Sequence, residues 1–125
     1  MVSIIGQYPL IAEGISAFIP DKICINYINL NAGDYLALEG AYQPLSNSRL
    51  IIINLDGIHT EAQFLIAYCK KKCTSAKIIA VDSHNSNAMA KHLVELGASA
   101  YLPITANGDI MSKLIKELLS DVEVV

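Results

Sequence analysis

Asn54 and Asp82 each close a run of apolar residues, in "LIIINLDG" (50–57) and "KIIAVDS" (77–83). A strand buried on both faces that ends in a polar side chain delivers that side chain to a sheet edge. In open α/β sheets, ligands bind outside the carboxyl ends of the strands. Asp56 places a carboxylate two residues beyond Asn54, and Gly6 and Gln7 follow the first apolar run, Val2 to Ile5. An amide is a poor nucleophile and carries no charge. Asn54 thus occupies a reactive position without a reactive group.

Other chemistries fail on spacing. The first turn, Gly6-Gln7-Tyr8-Pro9, has one glycine where a dinucleotide fingerprint needs three, and no GxxxxGK[ST] loop is present. No Gly-x-Ser-x-Gly elbow occurs. His59, His84 and His92 stand at no fixed spacing from a nucleophile, and each reads as a loop or helix-surface residue. Cys24, Cys69 and Cys73 are an odd count, which argues against a disulfide framework. Cys69 and Cys73 lie four apart on a helix and could share a metal. No CxxC or His-x-x-x-His pattern accompanies them, so buried thiols are the expectation.

The elements that must position these residues alternate regularly. Strands are expected at Val2–Ile5, Ile23–Ile28, Leu50–Asn54, 77–83 and Ser99–Leu102. Between them, Pro9 opens a helix in which Leu10, Ile11, Ile15, Phe18 and Ile19 recur at helical spacing up to Pro20. Asn31 caps a helix over 32–42, and "QPLSNS" is a loop. Thr60 caps a helix with Phe64, Leu65, Tyr68 and Cys69 inward, ending in Lys70, Lys71 and Lys72, which complement the helix dipole. Asn85 or Ser86 opens a helix bearing Met89, Leu93 and Leu96, stopped by Gly97 in the C′ position, and a last amphipathic helix runs from Gly108 to Leu119. Five such units with short connections imply a doubly wound, five-stranded parallel sheet covered on both faces.

Bulk properties agree. The chain has 125 residues, enough for one domain with a real core, and 53% hydrophobic against 17% charged residues excludes disorder. The apolar runs are far shorter than a bilayer span, and the N-terminus lacks a basic n-region, so a cytoplasmic protein that does not enter membranes is expected. A net charge of −3 with nine basic residues gives no footprint for nucleic acid.

The stretch "IIGQYPLIAEGISAFI" resembles the opening of a response-regulator receiver domain of the LuxR/FixJ (NarL-like) type, roughly "IVDDHPLVREGLRALL". "RLIIINLDG" is similar to that family's "DLVLLDLxMPG", and "AKIIAVDSHNSNAMAKHLVELGASAYL" to "AKVIVLTAxxDxxxxxxALxAGAxGYL". The resemblance spans essentially the whole chain and implies the (βα)5 receiver, or flavodoxin-like, fold. Residues 1–121 would form the domain, and 122–125 the start of a linker or tail.

Receivers accept a phosphoryl group from a histidine kinase onto an aspartate. That chemistry needs a carboxylate nucleophile, an acidic pair holding Mg²⁺, a hydroxyl and a lysine. By the resemblance, the acidic pair falls on Gly6 and Gln7, the phosphoacceptor on Asn54 and the hydroxyl on Asp82. The lysine falls on Ile104 by the ungapped count from Tyr101, or on Leu102 if Pro103 sets the alignment. Asp56 matches the position that offers its backbone carbonyl to Mg²⁺, so its side chain does not replace the nucleophile. An incoming phosphoryl would meet repulsion, and no cofactor or Mg²⁺ is expected.

The resemblance therefore implies a degenerate, non-enzymatic pseudo-receiver of two-component signalling that acts by dimerising or docking a partner. It would belong to a LuxR-type transcriptional regulator, reaching DNA only through a C-terminal helix-turn-helix domain absent from this chain. Tyr101 takes the aromatic switch position and reads equally as a partly buried strand tyrosine. Ile110, Met111 and Leu114 are interface candidates on a last helix whose apolar stripe is wide, although core packing accounts for at least half of it. A small-molecule or ion sensor using the altered pocket is the alternative.

Overall fold

The computed structural model describes residues 1–30, 45–58, 62–84, 86–103 and 108–123, with side chains through Ser120. The helix expected over 32–42, its cap Asn31, the cap Thr60 and position Ile104 lie outside the described residues. Among the described residues, five parallel strands form one sheet: β1 (Val2–Gly6), β2 (Ile25–Asn29), β3 (Leu50–Asn54), β4 (Lys77–Asp82) and β5 (Ala100–Pro103), in the order β2-β1-β3-β4-β5. The chain leaves β1 for β2 on one side and returns to β3 on the other. The switch point therefore lies between the carboxyl ends of β1 and β3, where doubly wound sheets open a crevice.

The central strands are apolar because helices cover both of their faces. All five residues of β3 are buried, and each fully buried isoleucine there stabilises by roughly 1.5–3 kcal/mol. Leu50, Ile52, Ile79 and Val81 join Val2 and Ile4 against Ile15 of helix α1 (Pro9–Ser16) and against helix α4 (Gly108–Glu123). Ile51, Ile53, Ile78 and Ala80 join Ile5 on the opposite face. There they meet Leu65, Ile66 and Cys69 of α2 (Ala62–Lys72) and Leu93 of α3 (Asn87–Leu96). The buried Ser3 hydroxyl is matched by Ser48 Oγ at 2.6 Å and by Asn26 Nδ2 at 3.3 Å.

Several expected boundaries move. Helix α1 ends at Ser16, not at Pro20: Phe18 N–H and Ile19 N–H bond the carbonyls of Ile15 and Ser16, three residues back, which tightens and closes the helix. Leu10, one of the apolar residues at helical spacing, is 81% exposed. Phe64 is also outward, half-exposed and stacked on Tyr68 with ring centroids 5.9 Å apart, and Ala62, Leu65, Ile66 and Cys69 form the buried side of α2. Strand β2 starts at Ile25 and β5 at Ala100. Ser86 caps α3 by accepting the Met89 N–H at 3.2 Å, and Gly97 ends that helix at φ 123°. Helix α4 starts at Gly108 as expected and continues past Leu119 to Glu123.

Candidate functional site

Strand β1 carries Gly6 to the switch point, where a Cβ on it would lie 3.1 Å from Asn54 Cβ. The two strand ends thus touch, and a side chain at position 6 would make Asn54 give by a few tenths of an ångström. Asn54 itself is 2% exposed. Its Oδ1 accepts the Asp56 N–H at 3.2 Å, an Asx-type turn, while its Nδ2 has no partner. Asn54 lines a cavity of about 70 Å³ with Gly6, Tyr8, Pro9, Ala12 and Asn29. That volume holds about two waters.

After β3 the chain turns through Leu55–Ile58, closed by Ile58 N–H to the Leu55 carbonyl at 2.9 Å. Gly57, the third residue of the turn, has φ 82°, as a type II turn requires. A Cβ there would lie 2.0 Å from Gln7 Oε1, so the Gln7 amide occupies the space above Gly57. Gln7 packs over this turn.

Strand β4 delivers a different group of side chains. Asp82 is 1% exposed. Its Oδ2 accepts the Tyr101 hydroxyl at 2.9 Å, and its Oδ1 lies 3.4 Å from His84 Nδ1. The same hydroxyl also donates to the His84 carbonyl, so one phenol proton serves two acceptors. Burial pushes the Tyr101 phenol up, and the bond to Asp82 pushes it further. A backbone bond at Ser86 opposes the shift, and the Asp82 and Asp56 charges add to it. Asp56 Oδ1 accepts Ser83 N–H at 3.0 Å and Ser83 Oγ–H at 2.7 Å, which ties the β3 turn to the end of β4.

The resemblance placed Asn54 and Asp82 in one pocket. The two leave the sheet on opposite faces: Asn54 pairs in register with Val81 and continues the Leu50–Ile52 face, whereas Asp82 continues the Ile78–Ala80 face. Gly6, Gln7, Asn54 and Asp56 come together around the switch point, and Asp56, Asp82, His84 and Tyr101 form the adjoining group. Ser83 was not singled out from the sequence, and His84 was read there only as a loop or helix-surface residue. The signal available was "VDSH", three successive polar residues leaving a buried strand. On α4, Ile110 is 54% exposed and Leu114 is half-buried. Met111 is buried in the core and so offers no surface to a partner, because its position on the helix faces the sheet.

No family model matches the sequence, and no curated protein matches it. Solved structures do. The BeF3-activated DrrB receiver domain is similar with a TM-score of 0.76 at 13% identity, covering 95% of this chain and 96% of that one. A response regulator from Thermotoga maritima is similar with a TM-score of 0.71 at 15% identity, covering 95% and 97%. The signal receiver domain of a DNA-binding response regulator from Colwellia psychrerythraea 34H has a TM-score of 0.70 at 12% identity, covering 96% and 98%. At these identities the likeness establishes the fold: the chain has the flavodoxin-like α/β architecture of receiver domains. No helix among the described residues is long and apolar enough to cross a membrane.

Proposed function

We propose that this chain is a phosphorylation-independent regulatory module on the receiver fold, a pseudo-receiver that dimerises or docks a partner within a LuxR-type transcriptional regulator. The observation that carries this reading is Asn54: a buried, uncharged amide at the end of β3, pressed against Gly6 where the fold would otherwise bring carboxylates together. An amide cannot form an acyl phosphate, and neither Gly6 nor Gln7 supplies an anionic ligand for Mg²⁺. The module is therefore not an enzyme and does not use Mg²⁺.

A regulator that skips phosphorylation works through its standing surface. The exposed Ile110, with the half-buried Leu114 one turn further along α4, is the apolar patch most suited to a second copy or another regulatory protein. Intact mass after treatment with acetyl phosphate and Mg²⁺ tests the chemistry, and sedimentation of wild type against Ile110→Glu tests the surface. The expected result is no added phosphoryl group and a concentration-dependent dimer that Ile110→Glu weakens. A phosphoryl adduct, or a monomer at all concentrations that captures no regulatory partner, overturns the reading.

A second reading is a small-molecule or ion sensor, favoured by the unpartnered Asn54 Nδ2 beside its cavity. A cavity of about 70 Å³ is small for a metabolite, and its lining holds no charged side chain. Stabilisation by a metabolite in a thermal-shift screen would favour this reading over docking.

A further inference from the structure

We propose that Asp82, His84 and Asp56 form a binding site for a divalent transition-metal cation, with zinc the best-suited class. This goes beyond both readings, since the three residues belong neither to the Asn54 cavity nor to the α4 surface.

One ligand atom from each residue lies within 4.8 Å of the others. Donors about 2.0–2.2 Å from a tetrahedral zinc are about 3.3–3.5 Å from one another. Asp82 Oδ1 and His84 Nδ1, at 3.4 Å, already stand at that separation. Asp56 sits on the turn after β3 with a ligand atom within 4.8 Å of both, and completes a three-ligand face by drawing in.

The supporting shell is in place as well. A metal-binding carboxylate is commonly held by a hydrogen bond on its other oxygen. Tyr101 donates to Asp82 Oδ2, leaving Oδ1 on the His84 side. Ser83 donates twice to Asp56 Oδ1, leaving Oδ2 to turn toward a cation. Both carboxylates are thus oriented from behind by hydroxyls.

Charge points the same way. With neutral imidazole, two carboxylates carry a formal −2 that a divalent cation cancels, and one of them is 1% exposed. Imidazole beside carboxylate selects zinc, cobalt or nickel over the hard cations Mg²⁺ and Ca²⁺. The His84 side chain is 71% exposed, so a fourth position faces solvent, open to water or to a partner's side chain.

This site differs from the one the resemblance implies for Mg²⁺. It uses neither Gly6, Gln7 nor Asn54, and Asp82 lies on the opposite sheet face from Asn54. The sequence expectation of no Mg²⁺ followed from Gly6 and Gln7 in place of the acidic pair, with a carboxylate, Asp82, at the hydroxyl position.

The test uses the tag-free chain with Zn²⁺ alone, Co²⁺ alone and Mg²⁺ alone. Calorimetry should give one Zn²⁺ per chain with a raised melting temperature, and Co²⁺ should give visible d–d bands of low-symmetry coordination. His84→Ala, a change at an exposed ring that leaves the core intact, should weaken Zn²⁺ at least about tenfold and erase the bands. Tyr101→Phe should weaken it about tenfold through lost orientation of Asp82. Cys24→Ser removes the exposed thiol, another zinc-seeking group, and should change nothing. The proposal is overturned if wild type binds no Zn²⁺, if His84→Ala binds as tightly as wild type, if Cys24→Ser abolishes binding, or if Mg²⁺ binds as tightly as Zn²⁺. A dimer that persists without Zn²⁺ leaves the docking reading standing whichever way these arms fall.

Discussion

Replacing Asn54 by aspartate restores a carboxylate at the end of β3, and the structure predicts loss of stability with no gain of chemistry. Asn54 is 2% exposed, so an ionised side chain there is stripped of water. The penalty has a ceiling, because the group can instead hold a proton. Raising a carboxyl from an ordinary value near 3.9 to above 7 costs about 4 kcal/mol. Two effects offset it. The Asp56 N–H, now bonded to an anion, returns about 1.5 kcal/mol, and removal of the unpartnered Nδ2 returns about 1 kcal/mol. The net expectation is a loss of about 1–2 kcal/mol at pH 7.5.

The sign with pH follows from linkage. A carboxyl whose folded pKa is raised binds more protons when folded, so its contribution is intact below the unfolded pKa and is lost as pH rises through the folded one. The deficit of Asn54→Asp should therefore shrink as pH falls from 7.5 toward 5. Urea unfolding at both pH values, with unchanged m, measures it. A variant as stable as wild type at pH 7.5, or a deficit that grows on acidification, refutes the reasoning. A phosphoryl adduct on Asn54→Asp after acetyl phosphate and Mg²⁺ would show that the Gly6–Gln7 crevice still assembles a metal, and would refute it independently.

Three further outcomes are expected. Gly57→Ala should destabilise by about 1–2 kcal/mol, since φ 82° and the Gln7 contact both oppose a Cβ, and Gln7→Ala in the same chain should recover part of that loss in a double-mutant cycle. Tyr101 should titrate above an ordinary phenol and return toward it in Asp82→Asn, read by ultraviolet difference spectra. The stability it lends is present below about pH 10 and is lost as pH rises through the raised value. Iodoacetamide on the native chain should modify Cys24 and spare Cys69, whose thiol is pushed up to about 12 by burial and then by Cys73, as peptide mass mapping would show.

Strands were the most legible part of the fold. An apolar run covered on both faces has no competing reading, and β3 and β1 lie within a residue of their expected spans. Helix faces were less legible. In "AQFLIAYCKKK" apolar residues surround the helix, so periodicity could not decide between the face of Phe64 and Tyr68 and the face of Ala62, Leu65, Ile66 and Cys69. Packing decides it: Ala62 is small enough to let α2 approach the sheet, Phe64 stays half-exposed, and Tyr68, on which it stacks, is partly buried against the core. The last helix had a similar ambiguity. Spacing placed Ile110, Met111 and Leu114 on one apolar stripe, and contact with the sheet divides them into a buried Met111 and an exposed Ile110.

The site was legible as a set of positions and not as a geometry. A motif comparison matches residues to roles but carries no strand parity, and parity separates Asn54 from Asp82. Because Asn54 pairs with Val81, Asp82 stands one residue beyond the register and points to the other face. There the groups within reach are Tyr101, delivered by β5 one strand over, and His84, two residues on. The Tyr101 contact does not follow from local sequence, since the bond spans 19 residues and depends on the β4–β5 register of Ala80 with Tyr101. Seen along the chain, Asp82 is a carboxylate in place of a hydroxyl and so a loss. In the fold it is a buried carboxylate held by a phenol and an imidazole, an arrangement that loss of phosphoryl chemistry alone does not require.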